Sequence, residues 1–185
     1  MAKLTINDID LRGKRVLTRV DYNVPMSEQD GLMIINDATR ILAPLPTLKL
    51  MINSGAKIIL TAHLGRPKGE RVPSMSLRPV ADKLAGLIGQ SVDFCDQCIG
   101  QAARDAAAKL EDGGLLLLEN VRYHAEEEVN DADFAGQLAG DADVFTNDAF
   151  GAAHRAHAST AGVADIIAAR GGQCAAGLLM ERELQ

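Results

Sequence analysis

Arg66, Arg122 and Arg155 are the side chains of this sequence best suited to grip a small anion. Each stands beyond a short apolar or β-branched run: Arg66 in HLGRP after AKIILTA, Arg122 in VRYH after LLLLEN, Arg155 in HRAH after VFTND. All four histidines, His63, His124, His154 and His157, fall in the same three segments, and Asp21 and Asn23 follow a fourth run, RVLTRV. A guanidinium group offers a planar fork of N–H donors that fits phosphate or carboxylate oxygens two at a time. One loop arginine says little, because loops are polar. Three that converge repel one another and cost stability unless an anion or an acidic partner offsets them. The chain is otherwise acidic, with a formal net charge of -6, so a cationic cluster in it needs a reason. The simplest is a pocket for a small, multiply charged anion.

Other chemistries fit these residues less well. No two glycines are spaced i, i+2, so a dinucleotide-binding G-x-G-x-x-G is absent, and no glycine begins a Walker loop. No G-x-S-x-G marks a nucleophile elbow. His154 and His157 could pair with Asp148 around a metal, but there is no H-E-x-x-H and no third ligand at clear spacing, so the anion reading is preferred. Cys95 and Cys98 form a C-x-x-C and Cys174 stands alone, which suits reduced, partly buried thiols better than a zinc or disulfide framework. The acidic run AEEEV (125–129) reads as a solvated face.

The elements that must position these residues alternate along the chain. KRVLTRV (14–20), AKIILTA (56–62), LLLLEN (115–120), SVDF and DVFTNDAF read as strands, the continuous apolar runs suiting strands buried on both faces. Between them, DATRILAPLPTLKLMINSG has apolar residues at helical spacing, with Pro44 and Pro46 inside it and Gly55 as its cap. SEQDGLMIINDATR is loop-like. Ser76 is placed to cap LRPVADKLAGLI; GQAARDAAAKLEDGG, DADFAGQLAGDA and AGVADIIAAR read as further helices, and GLLMERELQ as the start of another. Strand–helix alternation predicts a single α/β domain, a Rossmann-like parallel sheet with helices on both faces. In such sheets ligands bind beyond the C-terminal ends of the strands, where the arginines and histidines fall.

Bulk composition narrows the partners. Acidity argues against nucleic acid and membrane surfaces, which are themselves anionic. The apolar runs are too short to span a bilayer, and MAKLTINDID has no apolar signal core, so a cytoplasmic protein is expected. Aromatics are only 3% of the chain, so the core must be aliphatic.

RVDYNVP (19–25), AHLGRP (62–67), LLENVRYH (117–124) and NDAFGAAHRAHAST (147–160), in that order, resemble the signature segments of phosphoglycerate kinase. LPTL (45–48), SLRPVADKL (76–84) and AGLLMERELQ (176–185) are similar to that family too, so the likeness runs nearly the whole chain. The resemblance implies a phosphotransferase of glycolysis and gluconeogenesis that moves a phosphoryl group between 1,3-bisphosphoglycerate and ADP, giving 3-phosphoglycerate and ATP. It implies that residues 1–185 are the N-terminal, acid-substrate domain, that the C-terminal domain binding Mg-ATP or Mg-ADP is missing, and that no cofactor or metal site lies in this chain. Full-length members are typically monomeric.

The resemblance also assigns roles. It implies that Asp21 and Asn23 hold the glycerate backbone, that His63, Arg66, Arg122 and Arg155 form the basic patch for the phosphate that is not transferred, and that Tyr22, Leu64, Gly65 and Arg40 also belong to the substrate-binding set. Arg40, in DATRI, is implied to be catalytic, neutralising charge on the phosphoryl group in flight. His154 and His157 are expected to pack and orient their loop, since a carboxylate acceptor is already ionised and needs no general base. The chain alone is then expected to be inactive as a kinase. Leu178, Leu179, Met180 and Leu184 are expected to be left exposed at its end. The alternative is a stand-alone binding module for glycerate phosphates or other small anions.

Overall fold

Apolar residues alternate between two faces along each central strand, and that fixes the layers. In the computed structural model, which describes residues 4–183, β1 (Arg15–Val20), β4 (Lys57–Thr61) and β6 (Leu115–Leu118) are almost wholly buried. Val16, Val20, Ile58, Leu60, Leu115 and Leu117 face one core. Leu17, Ile59, Leu116 and Leu118 face the other, as a period of two requires. The first core is closed by Leu48 and Met51 of α2 (Leu45–Asn53) and by Val80 and Leu84 of α3 (Arg78–Ile88). The second is closed by Ala103 of α4 (Gly100–Ala108), Phe134 and Leu138 of α5 (Ala132–Ala139) and Val163 and Ile167 of α6 (Val163–Ala169). Each such Val, Leu, Ile, Met or Phe side chain taken fully from water contributes about 1.5–3 kcal/mol. Helices therefore cover both faces of the sheet, as the alternation predicts.

The sheet has six parallel strands in the order β5-β6-β4-β1-β7-β8, with β5 (Asp93–Cys95), β7 (Val144–Asp148) and β8 (Gln173–Ala176) added. Register places Arg19 beside Thr61 on one side and Asn147 on the other. The chain moves outward from β1 on the β4 side, then returns past it to β7. Loops leaving β1, β4, β6 and β7 thus meet over one switch point, the usual ligand position of open α/β sheets.

Three local expectations are corrected. The helix expected through residues 37–55 is two: α1 (Thr39–Leu42) and α2, parted at Ala43 and Pro44. Pro44 and Pro46 lack N–H groups and sit where helix starts tolerate them; Ser54 is the C-cap, and Gly55 follows at φ +75. The stretch read as loop holds a hairpin, β2 (Met26–Gln29) and β3 (Leu32–Ile35). It turns at Asp30 and Gly31, both at positive φ, as a two-residue hairpin turn demands. Third, α7 (Leu178–Glu183) is not an exposed apolar end. Met180 is buried and Leu178 packs on the core, while Leu184 lies outside the described residues. The Leu178 N–H donates to Thr47 Oγ1, and those of Leu179 and Met180 donate to Asp148 Oδ1.

Cys95 and Cys98 are buried in the core beneath α4 and α5, and burial pushes the Cys98 thiol up, away from reactivity. Among the described residues no helix is long and apolar enough to cross a membrane.

Candidate functional site

The segment after β1 stays extended enough to alternate, sending Tyr22 and Val24 into the core and leaving Asp21 and Asn23 on the open side. Asp21 Oδ1 accepts the Asn23 N–H at 3.2 Å, and its Oδ2 accepts from Arg40 at 2.7 Å. Arg40 is delivered by α1, which starts at an Asx turn: Asp37 Oδ1 accepts from the backbone and the hydroxyl of Thr39. The Asn23 side-chain carbonyl accepts the Gly65 N–H at 2.9 Å and ties the β1 and β4 loops together.

After β4 the same alternation puts His63 on the cleft and Leu64 in the core, and the chain then turns at Gly65, whose backbone borders the cleft. Tyr22 and Leu64, named with the site residues by resemblance, therefore do not line the cleft with their side chains. Asn120, just beyond β6, fixes this turn. Its Oδ1 accepts from the N–H groups of Leu64 and Arg122, and its Nδ2 donates to the carbonyls of Leu64 and Met75. Glu119 beside it accepts from Ser76 Oγ and the Leu77 and Asn120 N–H groups, pinning the start of α3. Arg122 is 5% exposed. It donates to the Gly65 carbonyl at 3.0 Å, and its Nε lies 3.8 Å from Glu128 Oε1.

Glycine is the residue that fits most easily at position 65. Its φ is +63, and a Cβ would stand 2.9 Å from Met75 Sδ. Gly65→Ala is expected to lower stability by about 1–3 kcal/mol in a urea titration and to weaken anion binding, since the carbonyl that anchors Arg122 must move. Unchanged stability would show that the turn relaxes freely.

The β7 loop supplies the far wall. Gly151 lies so close to Asp21 that a Cβ would be 3.0 Å from Asp21 Oδ2. Arg155 is exposed toward the cleft, its backbone held by Ala152 and, through Thr160 Oγ1 at 2.7 Å, by the turn that opens α6. His157 does pack the loop, half-buried with Nδ1 3.9 Å from Glu127 Oε1. His154 does not: it is exposed, and Arg155 Nε approaches it at 3.4 Å. His124 turns from the cleft and packs at a tilt against Phe134, ring centroids 5.1 Å apart.

The acidic run read as a solvated face is only partly so. Glu127 is fully buried, because the 3₁₀ turn Ala125–Glu127 folds it against Ser159, whose N–H and hydroxyl both donate to it. Arg19, Glu127 and Ser159 form a buried hydrogen-bonded chain that reaches His63, and Gly151 and Ala152 line the cleft; sequence reasoning had given none of these five a part in the site.

Assembled, the cleft holds about 320 Å³ and is lined by Asp21, Asn23, Arg40, His63, Gly65, Arg66, Arg122, Gly151, Ala152 and Arg155. Four guanidinium groups face one carboxylate, itself bonded to Arg40. Burial, then Arg19 and the other nearby cations, push the His63 imidazole down to about 2, so it is neutral at physiological pH. Burial also lowers Arg122, with Glu128 opposing, but the guanidinium stays charged. The arrangement can bind and neutralise a polyanion and offers no competent base.

A family model described as phosphoglycerate kinase matches residues 6–185. Among solved structures, phosphoglycerate kinase from Pyrococcus horikoshii OT3 superposes with a TM-score of 0.84 at 32% identity, over 98% of this chain and 44% of that one. The enzyme from Coxiella burnetii gives 0.84 at 35% identity, over 98% and 43%. The chain thus spans less than half the length of the structures it matches.

Proposed function

Since the chain belongs to the phosphoglycerate kinase family, we propose that residues 1–185 form its acid-substrate half, binding 3-phosphoglycerate or 1,3-bisphosphoglycerate. The observation that carries this is the convergence of Arg40, Arg66, Arg122 and Arg155 on one cleft from four separate segments of chain. Arg66, Arg122 and Arg155, with the His63 N–H, take the phosphate that stays. Asp21 and Asn23 take the glycerate hydroxyl and backbone. Tyr22 and Leu64 contribute backbone only. Arg40 stands at the opposite end, beside Asp21 and α1, where the transferred phosphoryl group leaves.

Binding and charge neutralisation are what these residues do. The acceptor carboxylate is already ionised, so no proton need be removed, which agrees with a neutral His63. The family's magnesium nucleotide finds no fitting donors in this cleft: its one carboxylate is engaged by Arg40, and no glycine-rich phosphate loop opens onto it. We therefore assign the nucleotide to a domain outside these 185 residues and derive no step through it. The same reading places the protein in the cytoplasm.

The test is a calorimetric titration of the 185-residue chain with 3-phosphoglycerate. Binding is expected to be weak and to fade as salt rises toward 1 M, where charges are screened beyond about 3 Å. Arg66→Ala and Arg122→Ala should each remove charge-assisted hydrogen bonds worth about 1.5–3 kcal/mol, roughly a tenfold or greater loss. Lys68→Ala, a neighbour that does not line the cleft, should change little. Equal losses from all three, or salt-independent binding, would count against a specific site.

A further inference from the structure

Arg19 is 1% exposed and lies beneath the cleft rather than on its lining. One terminal nitrogen, Nη2, lies 2.8 Å from His63 Nδ1, the Arg19 Nε donates to Ser159 Oγ at 2.8 Å, and Nη1 donates to the Val20 carbonyl. The Ser159 hydroxyl in turn donates to Glu127 Oε1 at 2.5 Å, and its N–H donates to Oε2 at 2.9 Å. A buried carboxylate thus holds a hydroxyl, the hydroxyl holds a guanidinium, and the guanidinium meets the cleft histidine.

A guanidinium has only donors and keeps its protons in a folded protein. The contact at Nδ1 is therefore a hydrogen bond only if that nitrogen offers its lone pair. A neutral imidazole then carries its proton on Nε2. No described residue bonds Nε2, and the ring borders the cleft. Protonating Nδ1 as well would set one N–H against another beside several cations.

We infer that Arg19, held by Ser159 and Glu127, is a positioning residue that fixes His63 as the Nε2–H tautomer, turning a neutral N–H donor toward the bound anion. Its value for binding rests on the substrate reading above; the tautomer itself does not. A neutral donor bonds a phosphate or carboxylate oxygen without adding another charge to a cleft already holding four guanidinium groups. Anion binding then involves no proton uptake at His63.

Long-range 1H–15N spectra of the histidine-labelled chain at pH 7 test this, with His63→Gln to assign the signal among four histidines. His63 is expected to show an unprotonated Nδ1 and a protonated Nε2, with or without saturating 3-phosphoglycerate. Ser159→Ala should let the tautomers mix and weaken 3-phosphoglycerate binding by about three- to tenfold, one neutral hydrogen bond's worth, and Ser159→Thr should restore both. A protonated Nδ1 in the wild-type chain overturns the inference, whatever the variants do. Ser159→Ala with tautomer and affinity both unchanged overturns the part given to Ser159. The expected tautomer with no 3-phosphoglycerate binding retires the substrate while leaving the positioning role intact.

Discussion

Arg40→Ala, made in these 185 residues joined to the nucleotide-binding half of a family relative, is expected to lower kcat by about a hundredfold to a thousandfold, the cost of losing one preorganised group that meets developing charge. Stability should hardly change. Arg40 is about half exposed, and its ion pair with Asp21 at 2.7 Å is of the accessible kind that contributes at most about 1 kcal/mol. The guanidinium is already aimed: Asp37 fixes the start of α1, and Asp21 holds the fork at the rim of the cleft. Little reorganisation is then needed when negative charge builds beside it. Substrate affinity should fall less than turnover, because three other arginines remain for the phosphate that stays. Arg40→Lys keeps the charge but not the planar fork, and should recover only part of the rate. Steady-state kinetics and thermal melting decide the matter. A large loss of stability with kcat intact would make Arg40 a structural residue. Turnover by the 185 residues without any nucleotide-binding half would remove the division of labour proposed here.

Much of the cleft was legible because its geometry is a consequence of alternation. Asp21 and Asn23 are two apart, and an extended strand exit presents such pairs on one side; His63 follows the same alternation before the chain turns at Gly65. The same rule shows why Tyr22 and Leu64, the intervening residues, face the core. The parallel sheet was legible too, though not its strand order, since LLLL and KIILT alternate with helical segments and suit strands covered on both faces. What stayed hidden depended on contacts between distant segments. Glu126, Glu127 and Glu128 are the same residue type in a row, and only the packing of a 3₁₀ turn against residues 158–162 decides that the middle one is buried. Arg19 reads as an ordinary polar residue in a strand until the tertiary fold brings Ser159 and His63 to it. β8, QCAA, has little strand propensity and owes its state to pairing with β7. The β2–β3 hairpin did carry a signal in Asp30–Gly31, but Leu32 and Ile34 on its exposed side blurred the pattern.

Glu127→Ala should be among the most damaging single substitutions to the fold, at about 3–5 kcal/mol, the cost of stripping one partner from a buried charge system. The carboxylate is fully buried and accepts two hydrogen bonds from Ser159, the N–H at 2.9 Å and the hydroxyl at 2.5 Å. Through that hydroxyl it is linked to Arg19, whose charged form burial disfavours and Glu127 favours. Without the carboxylate, the Ser159 donors lose their acceptor, and Arg19 is left buried among other cations. Glu128→Ala is the control in the same run: its carboxylate is half exposed and 3.8 Å from Arg122, so its loss should cost no more than about 1 kcal/mol. Urea unfolding of both variants measures the difference. Arg19→Met on the Glu127→Ala background then separates the two causes. If the stranded guanidinium is the main penalty, the double variant loses less than the two single losses added together. Strict additivity would show that Arg19 and Glu127 are balanced independently. A Glu127→Ala loss no larger than that of Glu128→Ala would show that the guanidinium finds its counter-charge in Asp21 instead.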